Sequence, residues 1–286
     1  SRGILRTISI GTSTGGVATI TGNLEISGTG KIHLESVSAA SGTGVINVNG
    51  NFTSTGTTVA SVGANGVVDF GAGSSLANNG IFIKGNFSHT TAGTFGTGGT
   101  GPNLGFVFNG TAPQSLTYTG AAVSDYTNYQ INSGATVNLA SNLTFSGAAS
   151  PSSSVRVLSG GTLNMAAFVI ANSTGGSGTP TFDAQSGSTL GIGSADGIRP
   201  VGATLGNVRI SSSSPTGVVT YNSGANYVYN GVVAQATGTG LPATINTLRI
   251  NNVTNAVTLT AIVGITSTTN SLILQAGTLD LNNKQL

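Results

Sequence analysis

Cysteine and tryptophan are absent from this 286-residue chain, methionine occurs once and histidine twice. Without cysteine there is no disulfide scaffold, no thiolate metal site, no iron–sulfur cluster and no cysteine nucleophile. Two histidines, His33 and His89, are too few for a multi-histidine metal centre. Charge is equally scarce, at 6% of residues against about 25% in ordinary domains. That is too little for a solvated, disordered tail. Nine Lys and Arg against seven Asp and Glu leave a net charge of +2, so the pI of about 9.1 reflects a small imbalance. No phosphate-binding stripe results, and nucleic acid is not an expected partner. The longest clean apolar run, Met165 to Ala171, has seven residues, where a membrane helix needs about 20. No membrane span is therefore expected. Arg2 and Arg6 are not followed by a long apolar stretch, so a signal peptide was either removed or the chain is an excised piece.

What is abundant is glycine, 45 of 286 residues, together with Ser, Thr, Asn and Val. Strong helix formers are rare, and apolar and polar residues alternate. Ile32 and Leu34 alternate with polar neighbours, as do Ile46 and Val48, Val155 and Val157, Leu163 and Met165, Leu248 and Ile250, Val257 and Leu259, and Leu279 and Leu281. Successive strand residues face opposite sides, so each piece buries one face and wets the other. Clusters of Gly, Asn and Ser separate these short strands and supply tight turns. The chain reads as all-β.

A small unit recurs: strand, small residue plus Asn, strand. It starts at Gly16, Gly44, Gly80 and Ala135 and places Asn23, Asn51, Asn86 and Asn142 at spacings of 28, 35 and 56 residues. The last spacing reads as two repeats of 28. A larger similarity relates the stretch from Tyr129 to that from Leu248, and the stretch from Val157 to that from Ile273, at offsets of 119 and 116 residues.

Two architectures fit. One is a β-solenoid (parallel β-helix) with irregular coils and protruding Gly/Ser/Thr loops. The alternative is a set of tandem β-sandwich domains, for which the offset of 116 to 119 would be a domain length. The solenoid is preferred, because 28 to 35 residues is a coil length and because aromatic residues, at 6%, are few for sandwich cores. Outward Asn, Ser and Thr would stack in ladders between coils. About ten coils at ~4.8 Å each give a rod of about 50 Å. A single elongated repeat domain over residues 1–286 is expected, with sub-repeats 1–112, 113–230 and 231–286. The loops Thr91–Pro102, Ala148–Ser154, Ser173–Pro180 and Ser211–Pro215 would project from it.

The phrases INTLRINN, NAVTLT and SLILQAGTLDLNNK, and QSLTYTG from Gln114, resemble the large cell-surface repeat proteins of Bacteroidetes. The resemblance is clearest over Gln114–Met165 and Ile245–Leu286. It implies secretion, by a type IX pathway, and display on the bacterial cell surface as an adhesin or filament component. No C-terminal sorting domain is visible in the sequence.

Enzymatic β-helices need clustered acids, either as a carboxylate pair across a glycosidic bond or as a cradle for a hard cation. The seven acids are Glu25, Glu35, Asp69, Asp125, Asp183, Asp196 and Asp280, with no two closer than ten residues. Glu25 and Glu35 read as outward charges on strands. Asp183 and Asp196, with Arg199 nearby, are the one pair worth weighing as a weak ion or sugar site, though Asp196-Gly197 is also a turn signal. A Ser–His–Asp triad would need His33 or His89, both of which sit in strand pattern. The glycines around Gly96 lack the strand–loop–helix context of a dinucleotide site. Thr-x-Thr pairs at Thr19, Thr53, Thr117 and Thr258 are too irregularly spaced for an ice-binding array. The Asn-x-Ser/Thr sites at Asn51, Asn86, Asn109, Asn142, Asn172 and Asn252 follow from composition.

The expectation is a non-enzymatic extracellular structural protein without catalytic residues, metal or cofactor: a filament subunit or adhesin stalk. It would self-associate head to tail or stack on neighbouring repeats, possible routes including donor-strand exchange through Ile4–Ile10. Surface glycans are a further expected partner. The runner-up is a carbohydrate-binding or polysaccharide-cleaving β-helix acting through its loop edge.

Overall fold

The computed structural model describes residues 16–28, 32–33, 44–56, 68–69, 79–90, 95–96, 104–119, 128–145, 153–172, 178–213, 216–269 and 271–286. The chain winds coil upon coil. The first three coils hold β1 (Gly16–Ile20), β2 (Leu24–Gly28) and β3 (Ile32–His33); β4 (Gly44–Val48), β5 (Phe52–Gly56) and β6 (Val68–Asp69); and β7 (Gly80–Ile83), β8 (Phe87–His89) and β9 (Phe95–Gly96). The next two hold β10 (Gly105–Phe108) and β11 (Gln114–Tyr118), then β12 (Asn128–Ile131), β13 (Thr136–Leu139) and β14 (Leu143–Phe145). Two more hold β15 (Ser154–Val157), β16 (Thr162–Asn164) and β17 (Ile170–Asn172), then β18 (Thr181–Ala184), β19 (Thr189–Ile192) and β20 (Val208–Arg209). The remainder is β21 (Val218–Tyr221), β22 (Asn226–Tyr229), β23 (Gln235–Ala236), β24 (Thr244–Ile245), β25 (Thr247–Thr258), β26 (Gly264–Ile265) and β27 (Leu272–Asp280).

Every strand pairing among the described residues is parallel, and like positions stack into faces. The first face runs β1-β4-β7-β10-β12-β15-β18-β21. The second runs β2-β5-β8-β11-β13-β16-β19-β22-β25-β27, with β23 joined to the far half of β25. Shorter third-face sheets are β3-β6-β9 and β14-β17-β20. This is the β-solenoid, with an irregular coil length: Gly16 pairs with Gly44, Asn128 with Ser154 and Thr189 with Asn226. The tandem-sandwich alternative falls, since one parallel stack carries both halves of the long repeat.

Alternation sets which residues turn inward. Ile32, Ile46, Val48, Val155, Val157, Leu163, Leu248 and Ile250 are all buried, as predicted. Around them sits an aromatic stack that the low aromatic content does not announce. Phe52 and Phe87 lie in register on β5 and β8 with rings 5.3 Å apart and nearly parallel. Phe106 packs edge-on to Phe87 at 4.8 Å, and Tyr129 continues the column at 5.8 Å. Two assignments need correction. Leu281 is 42% exposed and Leu279 only half-buried, because β27 has a neighbouring strand on one side only among the described residues. Leu34 lies outside the described residues, as do Ile4–Ile10 and most of the four projecting loops.

The corners explain the small-residue–Asn signature. The Asn23 side-chain oxygen accepts the Asn51 N–H at 2.8 Å, Asn51 accepts from Asn86 at 2.8 Å, and Asn86 from Ser115 at 2.8 Å. Each amide sits where the next coil brings Gly50 or Gly85. A Cβ on Gly85 would lie 2.5 Å from the Asn51 oxygen and 2.6 Å from the Gly50 carbonyl, so only glycine fits beneath the ladder. Asn142 does not belong to this ladder. It follows β13 rather than a first-face strand, turns the chain towards the third face, and accepts from Val169 at 2.9 Å. The spacing of 56 residues was therefore not two coils of one corner. In the later coils the first corner is built from Ser-Gly instead. Gly134, Gly160 and Gly187 there share φ near +80° (80, 76 and 78) and pass N–H···O=C bonds from coil to coil.

The long repeat also lands elsewhere than its constant offset suggests. Ile131 belongs to the first face, while Ile250, 119 residues on, belongs to the second. Val157 and Ile273 are related in the same way. The second copy of the pattern is wound one face further round the same rod.

Candidate functional site

The acids and histidines singled out by sequence are dispersed. Asp183 faces outward on β18, its carboxylate 3.9 Å from Arg156 of the adjacent β15 and hydrogen-bonded by Gln185 at 3.3 Å. Asp196 sits in the turn after β19, 3.5 Å from Arg199. Each carboxylate thus has its own guanidinium. Glu25 is an exposed outward residue of β2. His33 stands in backbone register with Asp69. His89 turns into the interior, fully buried, its ring 4.9 Å from that of Tyr118. Glu35 and Asp125 lie outside the described residues. Among the described residues no three His, Asp or Glu side chains gather as a metal site would require, and no helix is long and apolar enough to cross a membrane.

The outward residues of the second face do come together. On β13, β16, β19, β22 and β25 two columns run along the rod. One is Thr136–Thr162–Thr189–Asn226–Thr247. The other is Asn138–Asn164–Gly191–Val228–Arg249, continued by Ile273 of β27. Parallel, in-register stacking places like positions about 4.8 Å apart, close enough for amides and hydroxyls to bond along the column. Asn164 donates to Asn138 at 2.8 Å, Asn226 to Thr189 at 3.3 Å, and Asn246 to Asn226 at 2.8 Å. These are the expected inter-coil ladders. Gly191 leaves room for the Asn164 amide, whose oxygen would lie 2.2 Å from a Cβ there.

Over the C-terminal half of this face the columns line a groove of about 620 Å³, reaching from Thr162 and Asn164 to Ile273 and Gln275. Among the described residues its walls are amides and hydroxyls, with Val228 and Ile273 as apolar spots, one cation, Arg249, and no acidic side chain. The Arg249 side chain makes no hydrogen bond or ion pair among the described residues; the described arginine–carboxylate pairs involve Arg156 and Arg199. Sequence inspection did not single out this groove. Its residues come from five coils and share no local motif, and only the column register would have revealed them.

A second missed feature is a pair of buried glutamines. Gln114 accepts the Gly110 N–H at 2.9 Å and donates to the carbonyls of Ile83 and Gly85 one coil away. Gln235 repeats this with Gly231 at 2.8 Å and with Ile192 and Ser194 at 2.9 and 3.0 Å. The readable signal was aromatic-Asn-Gly followed four residues later by Gln, at Phe108–Gln114 and Tyr229–Gln235. Both act as clips between coils, satisfying backbone groups where the chain makes a wider corner.

No family model matches the chain, and neither a curated protein nor a solved structure matches it.

Proposed function

We propose that the protein is a non-enzymatic, extracellular structural rod of a bacterial cell surface, a filament subunit or adhesin stalk, lengthened by stacking β-strands end to end. The observation that supports this most is the state of β27. Leu272 and Leu274 stand in register with Leu248 and Ile250, which are fully buried. Yet Leu272 is 39% and Leu274 58% exposed. The same inward row that is dry in the preceding coil is thus wet here, beside a strand edge that has no partner among the described residues. Apolar side chains and free backbone groups in one row are what a further parallel coil would cover. A neighbouring repeat or a second copy of the chain offers such coils, and heterologous contacts between copies propagate rather than close.

Negative-stain electron microscopy at micromolar protein, without tags, tests the reading. Regular filaments are expected, and L272K/L274K should give isolated short particles with unchanged circular dichroism. Isolated particles from the parent protein, or filaments that persist in the double variant, would overturn end-to-end stacking.

A further inference from the structure

The rod reading leaves the groove on the second face without a role, and the groove's chemistry points to a ligand. We infer that it binds a linear anionic glycan lying along the rod axis, with the carboxylate or sulfate of one sugar held by Arg249. The argument has three parts. First, Arg249 is a half-buried residue, and among the described residues its guanidinium has no carboxylate in the groove and no ion pair. The other two arginines discussed above each have an aspartate partner. A planar fork of donors left unneutralised in a concave site favours an oxyanion, which it grips by paired hydrogen bonds.

Second, the residues flanking Arg249 in its own column are Val228 on one side and Ile273 on the other. Both line the groove. They offer apolar ground for the C–H face of a sugar ring next to the cation. Third, Thr189, Asn226 and Thr247 of the adjacent column, together with Gln275, supply hydroxyl and amide groups along the groove. Such groups both donate and accept, as sugar hydroxyls do. Five strands at about 4.8 Å spacing give the groove a length of about 19 Å, room for a short oligosaccharide rather than a single small ion. The described lining holds no acid, and this matters as much as Arg249, since a carboxylate there would repel the ligand.

The test is calorimetric titration of the whole chain, at low salt and at about 0.15 M salt, with three probes of similar length. Alginate oligosaccharides carry carboxylates, sulfated dextran oligosaccharides carry sulfates, and dextran oligosaccharides are neutral. Binding of at least one anionic probe, weakened by salt, with little or none of the neutral one, is expected. The stronger of the two identifies the anion. Arg249→Ala should weaken it at least tenfold while melting like the parent. Arg156→Ala, which removes an equal charge from the first face, should bind as the parent does. Equal binding of the neutral probe, undiminished binding by Arg249→Ala, an equal loss in Arg156→Ala, or no binding of either anionic probe would overturn the inference. Particle size measured on the same samples keeps this result separate from the rod proposal: a monomer that binds refutes the rod alone, and a filament that does not bind refutes the groove alone.

Discussion

Val157 and Ile250 are fully buried in columns whose neighbours above and below are also apolar. An aspartate at either position would place an unpaired carboxylate in that column and destabilise the fold by about 3 kcal/mol or more. Leu281→Asp, by contrast, should change stability by less than about 0.5 kcal/mol, because Leu281 is exposed. Thermal melting of the three variants checks both halves of the statement, and equal losses at all three would contradict the assignment of inside and outside. Phe87→Ala should be as costly as either aspartate, about 3–5 kcal/mol, since Phe87 touches the rings of Phe52, Phe106 and Tyr129 at once. At this scale the sequence was largely legible. Strict alternation separates inward from outward wherever a coil has neighbours on both sides. It misassigns Leu281 because pattern specifies direction, not cover. The same alternation turns His89 inward, in the phase set by Phe87 two residues earlier, although its polar side chain does not mark it as a core residue.

Corners and strands were legible in type but not in position. The Asn of the first corner could be read from its spacing because each amide bonds to the next coil directly. Asn142 misled because an identical side chain caps a different corner. The long repeat misled because winding by unequal coils, from Gly16↔Gly44 to Thr189↔Asn226, lets the same pattern land on another face. Clips and ladders should differ in worth. Gln235→Ala leaves the buried Gly231 N–H without a partner and removes the second donor from the Ile192 and Ser194 carbonyls, which keep the N–H groups of Asn230 and Gly197, so it should cost about 2–3 kcal/mol. The Asn51 amide makes its bond at an exposed corner where water can replace it, so Asn51→Ala should cost about 1 kcal/mol. Denaturant midpoints of the two variants, at unchanged slope, measure the difference. A larger loss in Asn51→Ala would mean that the ladder, not the clip, sets corner stability.

Across the whole molecule, each coil touches only its neighbours, so what sequence alone misses is whatever several coils build jointly. The groove is the clearest case: Asn164, Asn226, Arg249 and Gln275 are each unremarkable outward residues until parallel register aligns them. The interior tyrosines are another joint product, and they tie the rod's integrity to pH. Burial raises the hydroxyl pKa of Tyr118, Tyr129, Tyr221, Tyr227 and Tyr229 well above the usual 10.0, with neighbouring tyrosines adding to the effect at Tyr129, Tyr221 and Tyr229. Tyr227 and Tyr229 also donate to the carbonyls of Asn222 and Thr237 at 2.8 and 2.6 Å, bonds that only the neutral hydroxyl makes. The folded state therefore holds protons that the unfolded chain releases above pH 10. The stability associated with these groups is complete below pH 10 and falls as pH rises beyond it. Five such tyrosines acting together lower it by up to about 7 kcal/mol per pH unit. In a base titration the tyrosinate signal of five of the six tyrosines should appear in one step above pH 10, together with the loss of the β circular dichroism signal. Ionisation of these tyrosines near pH 10 while the β signal stays intact would place their rings in water and contradict the packed interior on which the solenoid depends.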